Sequence, residues 1–134
     1  MTHGERRMND GRTLVARWAA VAAYVALIFV LSSQPSLSLP GTFELRDKIA
    51  HVCEYGALGL LVWRAAAVTW PTAPPLKRAV LAAIAVAAVG AADERFQATV
   101  PGRFSDLYDW IADATGAVLA QGIGMALERR RGGV

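Results

Sequence analysis

The feature that most constrains this chain is a long segment without a charged side chain, residues 18–43. Its core, WAAVAAYVALIFVLSS, approaches the roughly 20 apolar residues that an α-helix needs to cross a bilayer. Arginines precede the segment, as they precede the apolar part of a signal peptide. No Ala-x-Ala cleavage site follows, however, and further apolar runs come later in the chain. The segment therefore predicts a transmembrane helix that is retained.

Three further apolar runs repeat this pattern, at residues 47–67, 77–92 and 105–127. The run at 77–92 is short enough to be a core helix of a soluble protein, but its many alanines favour close packing among membrane helices. The composition is 54% apolar and the mean hydropathy is +0.34, which exceeds what soluble domains usually carry. We therefore predict an all-α fold, a membrane-embedded bundle of four transmembrane helices.

Prolines separate these runs, because proline lacks the amide donor that a helix needs. Loops are expected around Pro35 and Pro40 and across residues 70–75. In the last run, a row of small residues at intervals of four predicts that another helix approaches closely. The row consists of Gly116, Ala120 and Gly124.

The chain divides into a basic N-terminal tail, residues 1–17, a four-span domain, residues 18–127, and a basic C-terminal tail, residues 128–134. The N-terminal tail has no apolar face long enough to fold alone, so we expect it to be flexible. A single cysteine excludes an internal disulfide and offers no metal-binding spacing.

Charge is distributed unevenly between the two sides that four spans define. The side with both tails and the middle loop holds Arg6, Arg7, Arg12, Arg17, Arg64, Lys77, Arg78, Arg129, Arg130 and Arg131. The other side holds the cations Arg46, Lys48, Arg95 and Arg103 and the acids Glu44, Asp47, Glu54, Asp93, Glu94, Asp106, Asp109 and Asp113. Lysine and arginine accumulate on the cytoplasmic side of membrane spans, so both termini are predicted to be cytoplasmic. A soluble four-helix bundle, the alternative fold, gives no reason for such sorting.

The same bias explains the net charge of +3 without a nucleic-acid partner, because nucleic-acid binders carry a basic stripe with few long apolar runs. The bilayer itself is the predicted partner.

Three carboxylates share one face of the last helix, because Asp106, Asp109 and Asp113 are spaced by three and four residues. Asp113 lies about 6 Å deeper than Asp109 at the rise of an α-helix. An unpaired carboxylate is costly at that depth, so Asp113 needs a partner inside the bundle. The candidate partners are Lys48, His51, Arg95 and Arg103.

Two other helix ends place polar residues on the same side of the membrane. In the second run, spacings of three, four and seven align Asp47, His51, Glu54 and Tyr55 along one face. The third run ends with Asp93, Glu94 and Gln97. The predicted ligand-binding residues are Asp47, Lys48, His51, Tyr55, Asp93, Glu94, Gln97, Arg103, Asp109 and Asp113.

These motifs together resemble the VanZ-like family. The matching residues are Asp47-Lys48, His51 and Tyr55, then Asp93-Glu94 with Gln97, then Pro101-Gly102-Arg103, then Asp109, Asp113 and Gly116. The chain departs from the pattern at Phe96, where many relatives have histidine, and at Asp113, where many have asparagine. The resemblance implies a small multi-pass protein of the bacterial inner membrane. The family's namesake is linked to low-level teicoplanin resistance, and the family has no settled biochemical activity.

Three functional hypotheses stand beside a purely structural set of ion pairs. In the first, Arg103 and Lys48 bind the phosphate of an envelope lipid or cell-wall precursor, and the carboxylates orient its polar remainder. In the second, an enzyme acts on such a lipid-linked substrate, with Glu94, Asp109 or Asp113 as general base or as ligands of a divalent cation; no other cofactor is predicted. In the third, Asp113 transfers protons or ions in a homo-oligomer packed along the small-residue row. The excess of carboxylates over cations favours a functional role.

Overall fold

A computed structural model of the chain describes the backbone of residues 3–35 and 44–132, and the side chains of residues 10–35 and 45–130. Within these ranges the chain forms four helices and no strand: α1 (His3–Ser32), α2 (Glu44–Thr69), α3 (Pro75–Gln97) and α4 (Leu107–Gly132). Each helix is long and apolar enough to cross a membrane. The predicted all-α bundle of four membrane spans is confirmed.

The helices extend further than the apolar runs alone indicated. Helix α1 begins at His3, so the prediction that residues 1–17 form a flexible tail is wrong for the part that the structure describes. No proline interrupts residues 3–17, and a helix that has already formed in the apolar segment propagates into such a stretch at little cost. Helix α4 likewise continues into the basic C-terminal residues as far as Gly132. The predicted loop around Pro40 lies outside the described residues.

Helix α2 occupies the centre of the bundle. It packs against α1, α3 and α4, and its contact with α4 is the most extensive in the described chain. Helix α1 packs against α2 and α3 and lies apart from α4. The apolar core between the helices is centred on Ile28, Tyr55, Leu58, Val86 and Ala117.

The predicted small-residue row forms the interface between α4 and α2. A Cβ atom built on Gly116 would lie 2.9 Å from the backbone nitrogen of Gly56, which only a glycine avoids. Ala120 is 2% exposed, and a Cβ on Gly124 would lie 2.6 Å from the ring of Trp63. The row therefore holds two helices of one chain together, and the prediction that it joins separate copies of the chain is wrong.

The outside of the bundle is apolar. Large aliphatic side chains are half exposed along three helices, including Val30 at 57%, Ile84 at 60% and Val118 at 61%. Several carboxylates, in contrast, are buried between the helices. Lipid surrounding the bundle explains both observations, because it tolerates apolar surface and penalises charge.

Candidate functional site

Buried polar side chains gather at one end of the bundle, where α1 and α3 end and α2 and α4 begin. We call this group the polar cluster. It comprises Ser32, Lys48, His51, Tyr55, Asp93, Glu94, Gln97, Asp106, Asp109 and Asp113. All ten predicted site residues were expected on this side, and the structure brings eight of them into the cluster. Asp47 and Arg103 lie at its margin.

Lys48 joins the start of α2 to the start of α4. Its ammonium donates to Asp106 Oδ2 at 2.6 Å and also bonds to Asp109 Oδ1. Asp106 caps α4, because its Oδ1 accepts from the backbone N–H of Tyr108 at 2.8 Å. The hydrogen bond from Lys48 holds the pKa of Asp106 below its usual range. The Lys48 ammonium is thus already engaged with two carboxylates, which use two of its three N–H donors.

His51 of α2 meets Asp113 of α4 deeper in the bundle. The distance between His51 Nδ1 and Asp113 Oδ1 is 2.8 Å, and Asp113 is fully buried. The carboxylate fits there because α3 has a glycine opposite it: a Cβ on Gly90 would lie 2.9 Å from Asp113 Oδ2. Of the cations that the sequence offered to Asp113, the structure selects His51.

The end of α3 holds a second polar arrangement. Asp93 Oδ2 accepts a hydrogen bond from Ser32 Oγ at 2.8 Å and another from Gln97 Nε2 at 2.9 Å. Glu94 Oε2 accepts from the backbone N–H of Asp106 at 2.8 Å, which connects α3 to the start of α4. The cluster thus contacts all four helices.

Several polar atoms of the cluster are buried without a hydrogen-bond partner among the described residues. They are the Tyr55 hydroxyl, Asp93 Oδ1, Glu94 Oε1 and Asp113 Oδ2. Glu94 is 4% exposed and Asp93 is 1% exposed, so bulk water does not solvate these oxygens. Most buried polar groups in proteins are hydrogen-bonded, and an unsatisfied one costs free energy. The cluster is therefore incomplete by itself.

Two predicted site residues lie outside this buried group. Asp47 is exposed on α2. Arg103, in the connection between α3 and α4, donates its Nε–H to the backbone oxygen of Gln34 at 2.9 Å. It was one of four candidate partners for Asp113, which contacts His51 instead. The two terminal amino groups of Arg103 have no partner in the described part of the chain.

Sequence reasoning left two residues out of the predicted binding set, Ser32 and Asp106. Ser32 is 5% exposed and donates to Asp93, yet it belongs to the one span that has no charged residue in its apolar core. Its position at the C-terminal end of α1, level with the acidic ends of the other helices, was the available signal. Asp106 shares a helix face with Asp109, and its place directly before α4 indicated a cap.

Two sets of three side chains could hold a metal ion, because within each set one ligand atom per residue lies within 4.8 Å of the others. One set is Asp47, His51 and Asp109. The other is His51, Glu94 and Asp113.

Comparison with known proteins places this arrangement in a family. Searches of curated proteins and of solved structures give no match to the chain. The sequence model of the family described as VanZ/LLP1 matches residues 13–128, which include the membrane-crossing part of all four helices and every member of the polar cluster. This multi-pass membrane protein therefore belongs to the VanZ/LLP1 family.

Proposed function

We propose that the polar cluster binds the headgroup of an envelope lipid or of a lipid-linked cell-wall precursor at the outer face of the bacterial inner membrane. The observation that carries this proposal is the pair of buried carboxylate oxygens without partners among the described residues, Glu94 Oε1 and Asp113 Oδ2. A set of ion pairs that served only to hold helices together would satisfy its own members. These oxygens need a donor from elsewhere, and a ligand supplies one.

The chemistry of the cluster indicates which part of a headgroup would bind where. Carboxylates accept hydrogen bonds from hydroxyl and amino groups, which sugars and amino-sugars present. Arg103 has two terminal amino groups available at the edge of the cluster, and a guanidinium suits a phosphate. Arg103, rather than Lys48, is therefore the proposed anion contact, since Lys48 is bonded to Asp106 and Asp109.

The orientation of the protein is part of the proposal and rests on the sorting of charge. Most lysines and arginines belong to the end of the bundle that is opposite the polar cluster, which favours that end being cytoplasmic. A fluorescent protein that folds only in the cytoplasm, fused after Val134, should therefore be fluorescent. If the fluorescent fusion is dark and alkaline phosphatase fused at the same position is active, the orientation is the reverse of the one proposed.

Native mass spectrometry of protein released gently from detergent tests the binding proposal. The wild type should carry a lipid of defined mass, and Arg103→Ala should lose most of it. Arg95→Ala is the matched control, because Arg95 is an exposed arginine at the same end of the bundle without a contact to the cluster. Equal lipid adducts on all three proteins would contradict the proposal. If a bound lipid is found, deletion of the protein in its host should alter sensitivity to teicoplanin by changing the availability of that lipid.

A second candidate function is an enzyme that acts on the same class of lipid. The hydrogen bond between His51 and Asp113 favours it, because a carboxylate that orients an imidazole is a common arrangement for general acid–base chemistry. Incubation of the protein with labelled envelope lipids, with and without divalent cations, tests this function. A product that forms with the wild type and not with His51→Gln would establish it, and an unchanged substrate pool would leave binding as the function.

A further inference from the structure

We propose that His51, Glu94 and Asp113 form a binding site for one divalent transition-metal cation. The site would have three protein ligands and at least one open coordination position. The inference deepens the headgroup proposal and rests on it only for the last step, in which the cation contacts the phosphate of the ligand.

The geometry brings one ligand from each of three helices to a single point. His51 comes from α2, Glu94 from α3 and Asp113 from α4, and their ligand atoms lie within 4.8 Å of one another. Metal–ligand bonds of about 2.0–2.2 Å place neighbouring ligand atoms about 3.0–3.5 Å apart. The pair His51 Nδ1 and Asp113 Oδ1, at 2.8 Å, is already close to that separation.

The unpartnered oxygens provide an independent indication of a missing ligand. Glu94 Oε1 and Asp113 Oδ2 have no hydrogen-bond partner among the described residues, although Glu94 is 4% exposed and Asp113 is fully buried. In the forms that bind a metal, two carboxylates and a neutral imidazole carry two negative charges, which one divalent cation neutralises. Of the neighbouring acids, Asp109 already bonds to the Lys48 ammonium, and Asp93 Oδ2 accepts hydrogen bonds from Ser32 and Gln97.

Room for the Asp113 carboxylate is built into the facing helix. A Cβ atom on Gly90 of α3 would lie 2.9 Å from Asp113 Oδ2 and 3.1 Å from Asp113 Cβ. The absence of a side chain at this position keeps the unpartnered oxygen free of steric contact. The other candidate set is less suitable, because Asp47 is exposed and Asp109 is engaged by Lys48.

The donor set indicates which cations to expect. One imidazole nitrogen and two carboxylates suit zinc, manganese or ferrous iron, whereas calcium and magnesium prefer ligand sets made of oxygen alone. Three protein ligands leave a position for water or for a ligand oxygen. A cation there would also overcome the difficulty that an anionic headgroup faces in a cluster rich in carboxylates, since the ammonium of Lys48 already bonds to two of them.

Metal binding to the purified full-length protein in detergent, without added lipid, tests the proposal. After chelation and buffer exchange, Zn²⁺, Mn²⁺ and Co²⁺ are titrated in turn, with Mg²⁺ and Ca²⁺ for comparison, and bound metal is measured by elemental analysis. We expect about one Zn²⁺ or Co²⁺ per wild-type chain, with a Co²⁺ absorption spectrum that reports nitrogen and oxygen ligands. His51→Gln and Asp113→Asn should each weaken binding by at least about tenfold.

Two further variants keep the test decisive if the substitution of a buried ligand prevents folding. Gly90→Ala removes no ligand but pushes the Asp113 carboxylate, and it should also weaken metal binding. Asp47→Asn distinguishes the two candidate sets, because Asp47 belongs to only one of them. If the variant still binds the metal, the ion is assigned to His51, Glu94 and Asp113; if it does not, that assignment is overturned. Helical circular dichroism verifies the fold of each variant.

The outcomes for metal and for headgroup are distinguishable, because the two ligands are measured separately. The metal site is overturned if the wild-type protein binds no transition metal, or if the variants bind it as the wild type does. The lipid adduct then still tests the headgroup proposal. Bound metal with no lipid adduct would support the metal site and contradict the headgroup proposal.

Discussion

Replacement of Gly116 by alanine should destabilise the bundle by about 2–4 kcal/mol relative to a Gly→Ala change at a helical position without contacts. The added Cβ would lie 2.9 Å from the nitrogen of Gly56 and closer still to the backbone oxygen of Val52, so α2 and α4 would have to move apart by up to about 1 Å. Forced overpacking of this kind costs about 1–3 kcal/mol. Asp113 lies one turn away, and its 2.8 Å contact with His51 would lengthen with the same movement, which adds about 1 kcal/mol.

Unfolding in mixed micelles by a denaturing detergent, followed by helical circular dichroism, measures this change. Gly122→Ala is the matched control, because it lies on the same helix and its added Cβ meets nothing within 4 Å. The control should be as stable as the wild type or up to about 1 kcal/mol more stable, since alanine favours helix over glycine. If Gly116→Ala and Gly122→Ala unfold at the same denaturant concentration, the close approach of the two helices does not exist as described.

Two further predictions concern single side chains at the same end of the bundle. Ser32→Ala removes the 2.8 Å hydrogen bond to Asp93 and should cost about 1–3 kcal/mol of unfolding free energy. Ser33→Ala changes the exposed residue that follows α1 and should alter the unfolding free energy little, so equal effects of the two substitutions would refute a role for α1 in the cluster. Lys48 lowers the pKa of Asp106 in the folded state, so the pair contributes its full stabilisation above about pH 4. This stabilisation is lost as the pH falls below about 4 and through the lowered pKa of Asp106. The unfolding free energy of Asp106→Asn should therefore fall less steeply than that of the wild type below about pH 4, and parallel curves would contradict the ion pair.

The fold was predictable because membrane spans follow from the lengths of apolar runs. Residues 18–43 predicted α1 without further information, and the other three runs followed by comparison. Helix ends were less predictable, because apolarity marks only the part of a helix that lies in lipid. Residues 3–17 are polar, so nothing in their hydropathy separates a helix from a tail, and the structure shows that α1 continues through them.

The side chains of the site were largely predictable, but their pairing was not. Spacing along one helix shows which residues share a face, and it correctly aligned Asp109 with Asp113. It does not show which residue of another helix lies opposite, because that depends on the rotation and depth of both helices. Lys48 therefore appeared free to bind a phosphate, whereas the structure bonds it to Asp106 and Asp109. Arg103 appeared able to pair with Asp113, which bonds to His51 instead.

Packing of the two central helices and the geometry of the site are set by the same contact. Gly116 allows α4 to touch the backbone of α2, and one turn earlier on α4 this separation places Asp113 against His51. In the facing helix α3, the missing side chain of Gly90 leaves room for the Asp113 carboxylate. A larger residue at either glycine would change the distances between three helices that supply the polar cluster. The two glycines therefore connect the stability of the bundle to the function proposed for the polar cluster, and variants of either should change ligand binding and unfolding free energy together.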